Sequence, residues 1–134
     1  MIVADTNLVA YAFVDGEFSA QARAVFAKDP EWHAPLLWRA EMLSVLVQAC
    51  KSEMLTSAQA ASVLEMAMSH MANREHISDE AVVLQTAVAR NISAYDAQFI
   101  ALALELQVPL VTSDKRLLAS CRDVAVSPAS FVER

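Results

Sequence analysis

Short apolar segments alternate with longer helical patterns along the whole chain, and no other feature limits its possible folds as strongly. The predicted strands are Ile2-Val3-Ala4, Trp32-His33-Ala34, His76-Ile77-Ser78, Leu110-Val111-Thr112 and Val124-Ala125-Val126. The predicted helices are Thr6 to Val14, Ser19 to Lys28, Leu37 to Lys51, Ser57 to Asn73, Asp79 to Arg90, Ala94 to Gln107 and a short helix from Asp114. Strands that alternate with helices predict an α/β domain whose parallel sheet is covered by helices on both faces.

Length and composition predict one globular domain. The chain has 134 residues, so we expect a single domain over residues 1–134. Apolar residues make up 56% of the chain and charged residues only 19%, a combination that argues against disorder. The only glycine is Gly16, which excludes a P-loop and a GxGxxG dinucleotide-binding turn.

The charge balance is acidic, with 16 Asp and Glu residues against 10 Lys and Arg residues and a net charge of −6. Phosphate contacts are made mostly by Lys and Arg, so a role with nucleic acid would need local geometry or bound cations. The two cysteines, Cys50 and Cys121, form no disulfide framework and no metal motif, which favours a reducing compartment. With no signal-peptide pattern and no apolar run of membrane-spanning length, we expect a cytoplasmic protein without a membrane segment.

Two predicted strands end in a carboxylate that is flanked by hydroxyl side chains. Asp5 follows Ile2-Val3-Ala4, and Asp114 follows Thr112 and Ser113. Ligands of open parallel sheets bind outside the carboxyl ends of the strands, so both residues are candidates for a binding site. The alternative is that each residue only caps the helix that follows it.

A third carboxylate, Asp96, points inward on the predicted helix Ala94 to Gln107. The solvent-facing stripe of that helix contains Gln98 and Glu105, and Asp96 lies on the opposite side. A carboxylate aimed into the protein is costly unless it finds a partner. The alternative is a capping box formed by Ser93 and Asp96.

Glu41 is the fourth candidate, near the start of the helix Leu37 to Lys51. It shares a face with Ser44, Gln48 and Lys51, and on periodicity alone this face is a solvated stripe. If that helix begins at the same edge of the sheet, the four carboxylates converge and repel one another unless a cation is bound. Mg²⁺ prefers oxygen ligands and is usually held by one or two carboxylates together with substrate phosphate.

Basic and histidine residues offer fewer clues. Arg39, Lys115 and Arg116 lie close in sequence to the candidate carboxylates and are candidates for contacts with a nucleic-acid backbone, although ordinary surface charge explains them as well. The three histidines, which are His33, His70 and His76, show no metal-ligand spacing and are expected to be structural or exposed. No Ser-His or Cys-His arrangement is apparent.

Four segments occur in a characteristic order. They are Ile2-Val3-Ala4-Asp5-Thr6-Asn7, then Ala34-Pro35 with Glu41 on the next helix, then Tyr95-Asp96-Ala97 running into Phe99-Ile100-Ala101-Leu102-Ala103, and then Leu110-Val111-Thr112-Ser113-Asp114-Lys115-Arg116-Leu117. In order and spacing, and over nearly the whole chain, they resemble the PIN domain family, especially its small toxin ribonucleases of the VapC type.

The resemblance implies a three-layer α/β/α fold with a central parallel sheet. It implies that Asp5, Glu41, Asp96 and Asp114 form a catalytic acidic site for Mg²⁺ or Mn²⁺. Asp5, Asp96 and Asp114 match the metal positions of the family, and Glu41 matches a neighbouring or water-linked position. Thr112 and Asn7 match supporting polar positions more loosely. The implied activity is metal-dependent hydrolysis of RNA phosphodiester bonds.

The resemblance also implies partners, namely an antitoxin protein of the VapB type and a second copy of the chain in a homodimer. Six apolar side chains are candidates for such contacts: Phe13, Phe18, Phe26, Met54, Met66 and Met71. Two alternatives to a nuclease stay open. One is a PIN-like interaction module without catalysis, and the other is a receiver domain with Mg²⁺ at acidic strand ends, although the residues after Ala4 lack the acidic pair typical of receivers.

Overall fold

The computed structural model describes residues 1–134 as five parallel strands and eight helices. The strands are β1 (Ile2–Ala4), β2 (Trp32–Pro35), β3 (Glu75–His76), β4 (Leu110–Val111) and β5 (Ala125–Val126). The helices are α1 (Thr6–Phe13), α2 (Ser19–Lys28), α3 (Trp38–Lys51), α4 (Ser57–Met71), α5 (Glu80–Arg90), α6 (Ala94–Leu106), α7 (Lys115–Ser120) and α8 (Pro128–Glu133). The predicted α/β class with a central parallel sheet is confirmed.

The order of the strands across the sheet is β3-β2-β1-β4-β5, and every neighbouring pair is parallel. From β1, the strands β2 and β3 therefore extend the sheet toward one edge. The strands β4 and β5 then extend it from the other side of β1 toward the opposite edge. The point between β1 and β4 is the topological switch point, where open α/β sheets form a crevice for ligands. A receiver domain has the order 2-1-3-4-5, so the receiver alternative is wrong.

Helices cover the sheet because each has one apolar face to bury. Helices α1 to α4 pack against one another, and α4 contacts β2. Helix α6 packs on β1, β2 and β4, with α5 alongside it. The main core is a cluster of 28 buried residues that includes the fully buried Trp32 and Trp38. No helix combines the length and the apolar character needed to cross a membrane.

Two elements differ from the sequence prediction by more than a residue or two at an end or by their presence. Strand β3 covers Glu75 and His76, and Ile77 lies outside it with 90% of its surface exposed. The strand is short because it pairs only with Ala34 and Pro35 of β2 before the chain leaves toward α5. The C-terminal helix α8 was not predicted, although Ser127 at its N-cap and a proline at its first position are ordinary helix-start signals.

Candidate active site

The four predicted carboxylates line one cleft at the carboxyl ends of β1 and β4. The cleft has a volume of about 360 Å³ and also contains Thr6, Asn7, Ser44 and Thr112. Asp5 and Asp114 reach it because they follow β1 and β4, on either side of the switch point. Glu41 and Asp96 reach it from the first turns of α3 and α6. The convergence expected from the sequence is therefore present.

Asp5 is held in place by bonds to both of its carboxylate oxygens. Its Oδ1 accepts a hydrogen bond from the Leu8 N–H at 2.7 Å, which caps α1. Its Oδ2 accepts a hydrogen bond from the Thr112 hydroxyl at 2.5 Å. Asp5 therefore caps α1 and at the same time lines the cleft.

Thr112 joins the two strand ends. Its side chain is fully buried, and besides donating to Asp5 its Oγ1 accepts a hydrogen bond from the Asp114 N–H at 3.1 Å. Asp114 in turn caps α7, because its Oδ1 accepts from the N–H groups of Arg116 at 2.9 Å and Leu117 at 3.2 Å. The Oδ2 atom of Asp114 has no hydrogen bond within the protein and is free for a ligand.

Glu41 and Asp96 complete the acidic lining. The Oε1 atom of Glu41 accepts a hydrogen bond from the Thr6 hydroxyl at 2.8 Å, so Glu41 belongs to the cleft and not to a purely solvated stripe. Ser93 caps α6 by accepting a hydrogen bond from the Asp96 N–H at 3.0 Å. The reciprocal bond of a capping box is not formed, which leaves the Asp96 carboxylate available to the cleft.

The cleft raises the pKa of two of its carboxyl groups. Desolvation by the surrounding protein raises the pKa of Asp5 to about 6, against the lowering effect of its bonds from Thr112 and Leu8, and the charges of Asp114 and Glu41 add to the rise. Desolvation, together with the charge of Asp114, also raises the pKa of Asp96. None of the five ion pairs of the structure involves a cleft carboxylate.

The donor chemistry of the cleft fits a hard divalent cation. No three ionisable side chains are arranged to ligate one ion directly. Mg²⁺ does not require such a cage, because it keeps several waters and usually takes one or two carboxylates. The cleft supplies only oxygen donors, and none of its carboxylates forms an ion pair with a basic side chain. The assignment of Asp5, Asp96 and Asp114 as metal ligands stays a prediction.

The three basic candidates differ in their surroundings. The Arg39 guanidinium makes a two-pronged contact with Glu75, with Nε at 2.5 Å and Nη2 at 2.7 Å from the carboxylate oxygens. This pairing occupies Arg39 with a structural role. Lys115 and Arg116 are exposed on the first turn of α7, directly after Asp114.

An apolar groove that sequence reasoning did not locate runs between α1 and α3. It has a volume of about 560 Å³ and shares Ser44 and Val45 with the acidic cleft. We call it the α1–α3 groove. Of the predicted contact residues, Phe18 and Met54 line the groove.

The other predicted contact residues lie elsewhere. Met66 is exposed on α4. Met71 is fully buried, so the expectation of a contact surface is wrong for this residue. Phe13 and Phe26 are half-buried and pack against the core beside His70, and their part in a contact stays a prediction.

Comparison with known proteins agrees with this architecture. The family model described as the PIN domain matches residues 2–122. Ribonuclease VapC1 of Mycobacterium tuberculosis, in the CDC 1551 and H37Rv strains alike, is 31% identical over 118 residues, covering 88% of this chain and 89% of the relative.

Two solved structures share the fold. PAE2754 from Pyrobaculum aerophilum superposes with a TM-score of 0.74 at 20% identity, over 99% of this chain and 94% of the other. A toxin–antitoxin complex from Klebsiella pneumoniae contains a chain with a TM-score of 0.64 at 20% identity, over 96% of this chain and 98% of the other.

Proposed function

This chain belongs to the PIN domain family, and from that premise we propose that it is a metal-dependent endoribonuclease, the toxin of a toxin–antitoxin pair. The observation that carries the proposal is the convergence of Asp5, Glu41, Asp96 and Asp114 in one cleft where none of them forms an ion pair. The 31% identity to a protein named as a ribonuclease supports the activity.

A divalent cation bound in such a cleft lowers the pKa of its water and neutralises charge that develops on a scissile phosphate. Asp5 is the most rigid of the oxygen donors, because Leu8 and Thr112 fix both of its oxygens. Asp96 or Glu41 would orient the attacking water or take up its proton, since both carboxylates line the cleft. The Thr6 hydroxyl, 2.8 Å from Oε1 of Glu41, would hold that carboxylate in position in the cleft.

Lys115 and Arg116 supply positive charge for the RNA backbone. Both are exposed at the rim formed by α7, next to Asp114. Because the whole chain carries a net charge of −6, these local charges compete with long-range repulsion. We therefore expect binding of RNA to depend on the cation in the cleft more than on the surface field.

The α1–α3 groove is the surface we assign to the antitoxin. It is apolar along its length, has Asp15 and Glu17 at its edge, and opens into the acidic cleft at Ser44 and Val45. An apolar segment with a basic side chain fits both parts, because the basic group reaches the carboxylates while the apolar residues fill the groove. A homodimer is part of the same proposal, with exposed Ile77 offering apolar surface away from the groove.

The activity is tested with purified protein and single-stranded RNA. Cleavage should require Mg²⁺ or Mn²⁺, stop with EDTA and return when the metal is restored. Asp5→Asn keeps a capping side chain on α1 but removes the charge, and it should be inactive. The matched control is Asp79→Asn, because Asp79 caps α5 in the same way outside the cleft and should leave the rate unchanged.

Two outcomes would contradict the activity. Cleavage by Asp5→Asn at the parent rate would place the active site elsewhere or reveal a contaminant. Metal binding without cleavage of any RNA would favour the non-catalytic interaction module.

The partners are tested by expressing the protein alone and together with the product of the neighbouring gene. Mass in solution should show a dimer of the chain alone, and the neighbour should bind and suppress cleavage. Phe18→Glu places charge in the groove and should weaken the complex while the nuclease stays active. A monomer at high concentration contradicts the dimer, and unchanged cleavage with the neighbour present contradicts the antitoxin.

A further inference from the structure

Tyr95, in the first turn of α6, is the most exposed aromatic side chain of the protein. Its surface is 65% exposed, whereas Trp32 and Trp38 are fully buried. The ring pairs with no other aromatic ring, and no lysine or arginine lies over its face. Packing within the fold therefore does not account for this ring. Single exposed apolar side chains are common on protein surfaces, so the position of Tyr95 decides its meaning.

Tyr95 lies at the mouth of the acidic cleft. Asp96 follows it directly and Phe99 lies one turn further along the same face of α6, and both of these residues line the cleft. Side chains of a helix tilt toward its N-terminus, and the first turns of α6 are the part that reaches the cleft. Tyr95 itself does not line the cleft, so its exposed ring stands at the rim, one turn outward from Phe99.

A cation lies near the same part of the rim. Arg116 is exposed in the first turn of α7, and its main-chain N–H donates a hydrogen bond to Asp114, which lines the cleft. Desolvation raises the pKa of Asp96, and the charge of Arg116 partly opposes that rise, so Arg116 lies near the carboxylate that follows Tyr95. Proteins that bind single-stranded nucleic acid combine positive charge for the phosphates with aromatic rings on which the bases stack. Arg116 and Tyr95 supply these two groups.

We propose that the ring of Tyr95 stacks on a base of the RNA strand, next to the phosphate that the cleft holds. This inference rests on the proposed nuclease function and names a residue that positions its substrate. Because every base has a π-face, Tyr95 accepts any of the four bases and adds affinity more than sequence preference. The ring carries no charge, so the affinity it adds is not opposed by the net charge of −6.

Steady-state kinetics on single-stranded RNA with Mg²⁺ test the role of the ring. Tyr95→Ala should raise KM at least about fivefold and leave kcat within about twofold, because loss of one stacked base weakens binding by about 5–150-fold and leaves the reacting groups in place. Tyr95→Phe keeps the ring and should restore the parent KM. Val88→Ala shortens a 75% exposed apolar side chain on α5, outside the cleft, and as the matched control it should leave KM unchanged.

The fluorescence of Tyr95→Trp reports stacking directly. Trp32 and Trp38 are fully buried, so the introduced indole is the only one exposed to solvent and its emission can be separated from that of the parent. In the Asp5→Asn background, which prevents cleavage, a short oligouridylate should quench this emission. A ribose-phosphate strand of the same length without bases should not quench it. The tryptophan emission of the protein with Tyr95 intact should stay unchanged with either strand.

Failure of the stacking role can be told apart from failure of the proposed function. If the parent cleaves RNA and Tyr95→Ala has the parent KM, the stacking role is wrong and the nuclease stands. A fall in kcat at unchanged KM would also overturn the stacking role, because it indicates a disturbance of the neighbouring Asp96. Equal quenching by the strand without bases would show contact with the RNA backbone, which contradicts stacking. A parent protein that neither binds nor cleaves RNA would overturn both proposals.

Discussion

Two groups of carboxylates in this protein have opposite electrostatic surroundings. The paired carboxylates, Glu75 and Asp123, each accept two hydrogen bonds from an arginine: Arg39 at 2.5 and 2.7 Å, and Arg90 at 2.8 Å twice. Those bonds lower the pKa of both carboxyl groups. The cleft carboxylates are Asp5, Glu41, Asp96 and Asp114. None of them forms an ion pair, and desolvation raises the pKa of Asp5 and Asp96.

The comparison separates carboxylates that the chain neutralises with its own arginines from carboxylates whose charge is left for a ligand to neutralise. Carboxylates that join elements of the fold are neutralised by arginine, which stabilises them whether or not anything is bound. The cleft carboxylates repel one another, so the metal-free fold is less stable than it would be with neutral groups. Such a cluster persists where a bound cation or a reaction requires it.

The largest expected effect is on activity, which should depend on the cleft carboxylates and not on the paired carboxylates. Asp96→Asn should lower RNA cleavage by about 100-fold or more and weaken Mn²⁺ binding by at least about tenfold, because the cleft loses a carboxylate that we propose binds the metal or acts on the attacking water. Asp123→Asn should leave both within about twofold, since Asp123 faces Arg90 on the surface. Cleavage rates and Mn²⁺ calorimetry check this, and equal Mn²⁺ affinity in Asp96→Asn and the parent would refute its assignment as a ligand.

The next prediction removes the arginine that neutralises one of the paired carboxylates. Arg39→Met leaves Glu75, whose side chain is only 13% exposed, without its cation. The free energy of unfolding should fall by more than is lost with an exposed ion pair and by less than is lost with a buried one. The double variant Arg39→Met/Glu75→Gln should recover most of the loss. Denaturant unfolding measures both, and no recovery in the double variant would show that packing of Arg39, and not the unpaired charge, is responsible.

A smaller effect follows from pH in the metal-free protein. The folded pKa of Asp5, about 6, lies above its ordinary value of 3.8, so the folded state binds this proton more tightly than the unfolded state. Protonation therefore stabilises the fold, and this contribution is lost as pH rises from about 4 through 6. After allowance for partial exposure, we expect the loss of this proton to lower the free energy of unfolding by about 1–2 kcal/mol.

The pH effect is tested by measuring the free energy of unfolding against pH in the parent and in Asp5→Asn, which lacks the carboxylate charge. Asp5→Asn should flatten the profile between pH 4 and pH 6, and saturating Mn²⁺ should reverse the loss above pH 6. A parent profile in EDTA that rises with pH over this window, with the same shape in Asp5→Asn, would contradict the assigned pKa.

The smallest effect concerns the rim of the cleft. Lys115→Gln combined with Arg116→Gln should weaken RNA binding only a few-fold and reduce its salt dependence by about two phosphate contacts at most. Binding measured at several salt concentrations, with catalysis prevented by Asp96→Asn, checks this. An unchanged salt slope would show that these two charges do not meet the backbone.

Sequence reasoning found all four cleft carboxylates but not how they are held. Asp5 and Asp114 were visible because each follows an apolar strand, and Asp96 because it breaks an apolar helical face. The bond from Thr112 to Asp5 spans 107 residues, and the bond from Thr6 to Glu41 spans 35. Neither hydrogen bond can be inferred from the periodicity of the sequence around its residues.

Tertiary pairing also changed the roles of residues that had an ordinary local explanation. Arg39, next to candidate site residues in sequence, turns to Glu75 because β3 lies beside the start of α3. His33 and His76 show no motif, yet adjacent parallel strands bring them within hydrogen-bonding distance. Helix α8 is a different case, since its Ser127-Pro128 start was readable and was missed.

By itself the sequence determined where most helices and strands form, which residues cap several of the helices, and that carboxylates stand at strand ends. These are local properties, set by periodicity, propensity and hydrogen bonds between near neighbours. Only the tertiary structure decided the strand order β3-β2-β1-β4-β5, and with it the switch point that brings Asp5 beside Thr112 and Asp114. The physical reason is that contacts between distant residues depend on how whole elements pack, and that packing is a property of the complete chain.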